Sequence, residues 1–292
     1  MSVRAPKPQG TIAPPRDVLR TVRQNVTVGN KTMVITEFHT EDFTTIYIGS
    51  ATIYYVDITI SRDIGDTYKS RGFLTKIRWD GKCSINRPFE QGADTIMIFK
   101  LAMTYVHHTY PTVTEIVFTD MSTRQCDNGE SVSLSAMKLF TEGKTWYESH
   151  LHTRIDPRSE AQYNAMMAYT TEQKKEMSWN ELVDYIPRHS TILNIDRIKE
   201  VYQSSKTWQE FFLYVRNQLG MSAFCICLSK DGWFDEFILK RLNFNLMGIH
   251  YTIDPSSYDT DYTLEPMTGG KAKKRSKGVQ RWRHTLRRGR SL

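Results

Sequence analysis

The first third of the chain alternates between apolar and polar residues. The alternation is clearest in three segments rich in β-branched and aromatic residues: NKTMVITEF, TTIYIGSATIYYVDITIS and GFLTKIRWDGKCSI. Turn-forming pairs separate the runs, at Gly49-Ser50, Gly65-Asp66 and Asp80-Gly81. A period of two with this composition is typical of strands that bury one face. The pattern predicts an antiparallel meander of four or five strands between residues 25 and 85.

The period changes at Asp94. The segment DTIMIFKLAMTYVHHTYP starts with a residue that can cap a helix, is apolar almost all round and stops before Pro111. Such a segment is typical of a helix buried against a sheet. A short apolar segment, TEIVFTD, follows and ends in Asp120. The order strand, buried helix, strand predicts a crossover unit.

Helical signals dominate from about residue 131 to 220. The segment NGESVSLSAMKLFTEG has Ser131 or Ser133 as a possible N-cap and Gly143 as a terminator, and SWNE and TWQE have the pattern of capping boxes. The segments SAFCICLS, WFDEFILKRLNF and GIHYTID then predict a strand, a helix and a strand. We therefore predict an α+β fold, with one domain over residues 26–258 and a helical insertion at about 131–220.

The distribution of charge distinguishes the C-terminal segment from this domain. Ten of the 39 lysines and arginines lie in residues 271–292, where there is no acid, which leaves 29 basic against 32 acidic residues elsewhere. Dense like charge does not pack against itself and attracts polyanions. We predict a disordered basic tail over 259–292 and a disordered, proline-containing arm over 1–25. The residues expected to bind nucleic acid or an acidic protein surface are Lys271, Lys273, Lys274, Arg275, Lys277, Arg281, Arg283, Arg287, Arg288 and Arg290.

The lengths of the apolar runs and the number of cysteines argue against a membrane protein and against a disulfide-rich protein. No apolar run approaches the ~20 residues that cross a bilayer, and the first residues carry no apolar signal segment, so we expect no membrane association. Four cysteines are too few for a disulfide framework. We interpret Cys225 and Cys227 as small apolar residues of a core strand, without a metal, and expect a reducing compartment.

The tripeptide GKT, in LFTEGKTWYESHL at residues 139–151, also ends phosphate-binding P-loops. A P-loop needs a further glycine at the position of Lys138, on a loop that enters a helix, whereas Lys138 lies inside a predicted helix. A helix C-terminus, with its negative dipole, would repel phosphate. We therefore interpret the motif as structural, with a C-cap, an N-cap and two core anchors, formed by Gly143, Lys144, Thr145, Trp146, Tyr147 and Glu148.

Three further groups of polar residues could carry chemistry. Asp120 ends a predicted central strand, where α/β proteins place site residues, and it is the candidate for a polar site. His150, His152 and Asp156 could converge on a metal, but we prefer to interpret them as solvated loop residues. The pair at residues 107–108 suits the dipole at a helix C-terminus. No catalytic residue, metal or cofactor is predicted.

The order of these elements resembles the layout of GNAT-type acyltransferases, and WFDEFILKRLNFNLMGIHYTI looks like their closing helix and strand. That family binds the pyrophosphate of coenzyme A through Arg/Gln-x-x-Gly-x-Gly/Ala. In the matching FEQGADT, Phe89 replaces the first residue and Asp94 the last, and Glu90 and Asp94 would repel a pyrophosphate. The resemblance implies a GNAT-like fold. An N-acyltransferase with a divergent coenzyme A site is the alternative function.

The combination of IVFTDMS, GKTWYESHL and WFDEFILKRL resembles a group of proteins of nucleocytoplasmic large DNA viruses, over roughly residues 90–250. GGKAKKRSKG resembles the Gly-Gly-Lys-rich basic tails of that group. The resemblance implies a viral protein, located in the virion and in the host cytoplasm or nucleus during infection. Together with the tail, it predicts a non-catalytic structural or packaging protein, with capsid proteins as further candidate partners.

Overall fold

The computed structural model describes residues 14–50, 54–61, 71–77, 92–120, 123–126, 129, 131–171, 178–184, 186, 194–228, 243 and 249–267. The fold is α+β, with a large, mostly antiparallel sheet and several helices, which confirms the predicted class. Contacts divide the chain into two compact units. Unit 1 is Met1–Ile58, Lys76–Thr104 and Tyr258–Leu292, and unit 2 is Thr59–Thr75 and Tyr105–Ser257.

The elements are as follows. The strands are β1 (Arg20–Val28), β2 (Lys31–His39), β3 (Phe43–Gly49), β4 (Tyr54–Ser61), β5 (Arg71–Ile77), β6 (Glu115–Thr119), β7 (Thr123–Gln125), β8 (Ser131–Ser133), β9 (Arg154–Ile155), β10 (His250–Ile253) and β11 (Thr263–Pro266). The helices are α1 (Ala93–Thr109), α2 (Leu134–Glu142), α3 (Trp146–Leu151), α4 (Pro157–Thr171), α5 (Trp179–Val183), α6 (Ile195–Ser204), α7 (Trp208–Tyr214) and α8 (Met221–Leu228). A π-helix, Val215–Leu219, joins α7 to α8, and a 3-10 turn covers Pro255–Ser257.

Unit 1 contains the predicted meander. β1 pairs with β2 in antiparallel register along its whole length, and β2 pairs antiparallel with β3 from Val34 to His39. Gly29 makes the tight turn between β1 and β2 possible, because its φ of 56° is in the left-handed region. β11 pairs with the outer side of β1, with Val26 opposite Leu264. β1 and β11 therefore extend into the predicted arm and tail, so the arm prediction is wrong for residues 20–25 and the tail prediction for 263–266.

The buried face of unit 1 contains polar pairs as well as apolar side chains. The apolar part is formed by β-strand residues such as Met33, Ile35, Ile46 and Ile48. Beside them His39 Nε2 lies 3.1 Å from Glu37 Oε2, and His39 Nδ1 lies 3.1 Å from Thr44 Oγ1. Burial of these groups is tolerated because each has a hydrogen-bond partner inside the protein.

Unit 2 contains the parallel strand pair that a crossover requires. β5 runs parallel to β6, with Gly72 opposite Ile116, and α1 lies between the two strands in the sequence. The predicted order of strand, helix and strand is confirmed. A Cβ at position 72 would lie 2.5 Å from Ile116 Cδ1, so a larger residue there would require the Ile116 side chain to shift. β10 then pairs antiparallel with β6 on one side and β9 on the other.

The described part of residues 131–220 is mainly helical, as predicted, and most of the predicted caps are confirmed. Ser133 caps α2, and Ser178 forms a reciprocal capping box with Glu181 at α5. Thr207 caps α7 by accepting from the backbone N–H of Glu210. The Glu210 carboxylate, however, accepts from the backbone N–H of Lys206, 2.6 Å away, so the TWQE box is displaced by one residue from the predicted pattern.

Two predictions about the cysteines are wrong. SAFCICLS forms helix α8 rather than a strand, because a short run that is apolar on every side carries neither period. Cys225 forms a disulfide with Cys126, whereas it was predicted to be only a small apolar core residue. Cys227 is buried and forms no disulfide, in keeping with the small apolar role predicted for it.

Two predicted segments fall outside the described residues. They are the helix WFDEFILKRLNF, apart from Asn243, and the whole basic segment 271–292. In the part of the chain that is described, no helix has the length and apolar character needed to span a membrane.

Candidate functional site

A buried polar network lies in unit 2, where the predicted polar residue Asp120 meets the GKTWYE segment. Asp120 directly follows β6, and its N–H donates to the Ile249 carbonyl at 3.0 Å. Phe118 of β6 is opposite Tyr251 of β10. Alternate residues of a strand share a face, so Asp120 lies on the same side of the sheet as Tyr251. Helix α2, helix α3 with its N-cap, and helix α4 supply the other members.

The inner half of the network joins the end of β6, helix α2, strand β10 and the N-cap of α3. Ser135, in the first turn of α2, donates its hydroxyl to the Asp120 carboxylate. The same hydroxyl lies 3.2 Å from Tyr251 Oη. Tyr251 is also hydrogen-bonded to Thr145, the N-cap of α3. All four side chains are at most 1% exposed, so their hydrogen bonds are made within the protein rather than with bulk water.

The outer half is organised by Glu148. Its Oε2 accepts from the Thr145 backbone N–H at 2.9 Å and from the Thr145 hydroxyl at 2.8 Å, while the Glu148 N–H donates to Thr145 Oγ1 at 3.3 Å. This is a reciprocal capping box. Tyr163 of α4 donates to the same carboxylate oxygen at 2.7 Å. A continuous chain of hydrogen bonds therefore connects β6, α2, β10, α3 and α4.

Burial keeps both tyrosines of the network neutral. It is the largest cause of the raised pKa of Tyr251. Hydrogen bonds with Ser135 and Thr145 oppose this effect, and the charges of Asp120 and Glu148 add to it. Burial also raises the pKa of Tyr163, and donation to Glu148 raises it further. Both phenols therefore act near neutral pH as hydrogen-bonding groups and not as ionised nucleophiles.

The GKTWYE segment adopts the predicted caps. Gly143 ends α2 with a φ of 68° and donates its N–H to the Leu139 carbonyl, and Thr145 caps α3. Tyr147 is buried, with its ring 4.9 Å from Phe118 and 5.1 Å from Tyr251. Lys144 is exposed. Of the two predicted core anchors, Tyr147 is confirmed, whereas the prediction is wrong for Trp146.

That residue, Trp146, is only half-buried. Its ring stacks on His150 at 5.0 Å, and the His150 Nδ1 lies 2.9 Å from the Trp146 carbonyl. The stacked pair lies along the outer side of α3, because residues four apart share one side of a helix. Tyr147 therefore contributes the core packing of the motif.

The three possible metal ligands have other roles. Asp156 accepts three hydrogen bonds from Arg158, each 2.8 Å long. These bonds are the main reason why the pKa of Asp156 is lowered to about 2. His150 bonds to the backbone of its own helix, and His152 is the left-handed C-cap of α3. Within the described residues, no group of three or more His, Cys, Asp or Glu side chains could hold a metal.

Asp94 is paired with a cation at the start of α1. It forms a buried ion pair with Lys31 of β2. Near it, Tyr55 Oη lies 2.6 Å from Thr95 Oγ1. A carboxylate in the first turn of a helix is stabilised by the helix dipole. The Asp94 carboxylate and the Lys31 ammonium therefore neutralise each other's charge at the helix N-terminus. The other two residues that were compared with the coenzyme A motif, Phe89 and Glu90, lie outside the described residues.

Sequence reasoning found Asp120 and Glu148 but missed three of their partners, Ser135, Tyr163 and Tyr251. Ser135 follows the N-cap of α2 by two residues, and a serine between Leu134 and Ala136 in the first turn of an apolar helix is a signal that could have been used. The two tyrosines carry no comparable local signal. No protein-family model matches the chain, and no curated protein or solved structure is significantly similar to it.

Proposed function

We propose that this chain is a non-catalytic structural or packaging protein of a virus particle, and that its basic tail binds nucleic acid or an acidic protein surface. The observation that carries the proposal is the charge distribution, with ten cations and no acid in residues 271–292. Clustered cations bind polyanions by releasing condensed counterions, without reading sequence. The viral assignment rests on the resemblance of the GKTWYE segment and the tail.

The last described strand supports a tail that starts close to the folded body. β11 is tied to β1 from Thr263 to Pro266, and only residues 268–270 separate Met267 from the first tail lysine. Asp259, Asp261 and Glu265 are exposed just before it. Arg20 and Arg23 of the paired strand β1 are exposed as well, so this edge of unit 1 carries both signs of charge and lacks the cluster of cations found in the tail.

The polar network supports a structural role for the body. Its groups bond to one another and, except for the half-buried Glu148, are buried, so they connect secondary-structure elements. Satisfied buried networks make a core rigid and specify one arrangement. A body of this kind suits a protein that positions a binding tail in an assembly.

A filter-binding salt titration of the full chain and of a chain that ends at Met267 tests the proposal. The full chain should bind DNA and RNA without sequence preference and lose about 10³- to 10⁵-fold in affinity between 50 and 200 mM salt. The shortened chain should bind neither. Polyglutamate as a competitor separates general polyanion binding from a preference for nucleic acid. Equal affinity of the full and the shortened chain for nucleic acid would refute the proposal.

The alternative is a GNAT-like N-acyltransferase with a divergent coenzyme A site. The parallel β5–β6 pair with α1 between its strands favours it, since this is the crossover that the resemblance implies. Against it, Asp94 and Lys31 already neutralise each other at the helix N-terminus. Calorimetry with acetyl-coenzyme A should show no binding at millimolar ligand. A micromolar Kd would favour the acyltransferase over the structural role.

A further inference from the structure

The disulfide of unit 2 joins two elements that are far apart in the sequence. Cys126 and Cys225 are separated by 99 residues, and both are buried. Cys126 directly follows β7, and Cys225 lies in α8. The bond therefore ties the hairpin formed by β7 and β8 to a helix at the other end of the helical insertion.

The same hairpin sets the position of two members of the polar network. The chain runs from Asp120 through β7, Cys126 and β8 to Ser135. Thr123 of β7 is paired with Ser133 of β8, the N-cap of α2. This pairing closes the loop that brings the Ser135 hydroxyl to the Asp120 carboxylate. A covalent anchor at Cys126 therefore acts on the segment that joins the two hydrogen-bonding partners.

We propose that the Cys126–Cys225 disulfide is a redox-dependent clamp on the Asp120–Ser135 network. In the oxidised protein, α8 holds the hairpin, and the hairpin holds the N-terminus of α2 against Asp120. Reduction frees the hairpin from α8 and loosens α2. This inference goes beyond the proposed function and is independent of the tail.

The reaction is a thiol–disulfide exchange with a dithiol reductant. One thiolate of the reductant attacks a sulfur of the pair and forms a mixed disulfide, and its second thiol then displaces the remaining cysteine. The reductant leaves as a disulfide, while Cys126 and Cys225 gain two electrons and two protons and become thiols. Both sulfurs are buried, so the attack requires local opening of unit 2.

Burial gives the clamp a kinetic signature. Dithiothreitol should reduce the bond slowly in native buffer and rapidly in mild denaturant, because only the opened unit exposes the sulfurs to a thiolate. Peptide mapping after alkylation follows this directly. Protein prepared without reductant should yield a cross-linked peptide pair containing Cys126 and Cys225. Both cysteines should be alkylated only after reduction.

Hydrogen exchange detected by mass spectrometry tests the effect on the network. Wild type reduced in mild denaturant and refolded in dithiothreitol should exchange in Leu134–Glu142 at least about tenfold faster than oxidised wild type, a conservative figure for the loss of a native disulfide. β2 of unit 1 should not change. Cys126→Ser should match the reduced protein. Cys227→Ala, which alters the buried cysteine of the same helix that is not part of the disulfide, is the matched control and should resemble oxidised wild type.

Three results would overturn the inference. The first is alkylation of Cys126 and Cys225 in protein that has never been reduced. The second is exchange in Leu134–Glu142 that does not change on reduction. The third is an equal effect of Cys227→Ala, which would assign the change to helix packing. The comparison of oxidised with reduced wild type decides the matter even where Cys126→Ser does not fold.

Discussion

Replacing Tyr163 with phenylalanine tests whether the polar network stabilises unit 2. The substitution removes one oxygen atom and leaves the buried ring in place. The lost bond is the 2.7 Å donation to Glu148 Oε2. Hydrogen bonds to charged groups contribute about 1.5–3 kcal/mol. Glu148 is only half-buried, so water can replace part of the interaction, and we expect a loss near the lower limit of about 1.5 kcal/mol.

Urea unfolding of wild type and Tyr163→Phe, followed by far-UV circular dichroism, measures this difference. Tyr214→Phe is the matched control, since Tyr214 is a half-buried tyrosine of helix α7 that is not part of the network. Removing the Tyr214 hydroxyl should change the free energy of unfolding by less than about 0.5 kcal/mol. A Tyr163→Phe protein as stable as wild type would refute the reasoning, because the bond would then contribute nothing.

The pH dependence gives the same prediction a second readout. The pKa of Tyr163 is raised in the folded protein, so above the unfolded value of about 10 the unfolded state releases its proton first. Stability from this group is therefore complete below about pH 10 and falls as the pH rises above it. The alkaline loss of stability should be shallower in Tyr163→Phe than in wild type. Equal slopes would mean that the phenol is not held neutral by its surroundings.

Two further predictions concern the caps and the Asp156–Arg158 pair. Gly143→Val should destabilise the protein, because the backbone φ of 68° at this position is unfavourable for a β-branched residue. Lys144 is exposed, so Lys144→Ala should change the free energy of unfolding by less than about 0.5 kcal/mol. If ATP raised the melting temperature of wild type but not of Lys144→Ala, the structural interpretation of the motif would be contradicted. The pKa of Asp156 is lowered to about 2, so its stabilisation is present above the unfolded value near 4 and is lost as the pH falls towards 2. Asp156→Asn should flatten the acid limb of a melting-temperature profile, and an unchanged limb would show that the pair with Arg158 does not stabilise the fold.

Local signals in the sequence were sufficient for much of the fold. The period of two predicted the meander, and the apolar segment before Pro111 predicted α1. Thr145 and Gly143 were correctly assigned as caps, because a cap depends on residues within one turn of it. The strand–helix–strand order also followed from local patterns.

Contacts between distant residues could not be predicted in this way. Ser135 and Tyr251 are 116 residues apart, and Cys126 and Cys225 are 99 apart, so no local period relates them. α8 was predicted to be a strand because its sequence is apolar at almost every position. The structure buries Ala223 to Leu228 on every side of the helix, so the sequence has no polar–apolar contrast from which a helical period could be recognised. The sequence therefore indicated Asp120 as a polar residue at the end of a strand but not the network that surrounds it.

The salt dependence of nucleic-acid binding by the full chain tests the central claim most directly. Each phosphate neutralised contributes about −0.9 to the slope of log affinity against log salt concentration on duplex DNA. With most of the ten tail cations engaged, the slope should lie between about −6 and −9, and replacing all ten with glutamine should bring it close to zero. A slope that is the same in the wild type and the glutamine variant would show that the folded body, and not the tail, binds the polyanion.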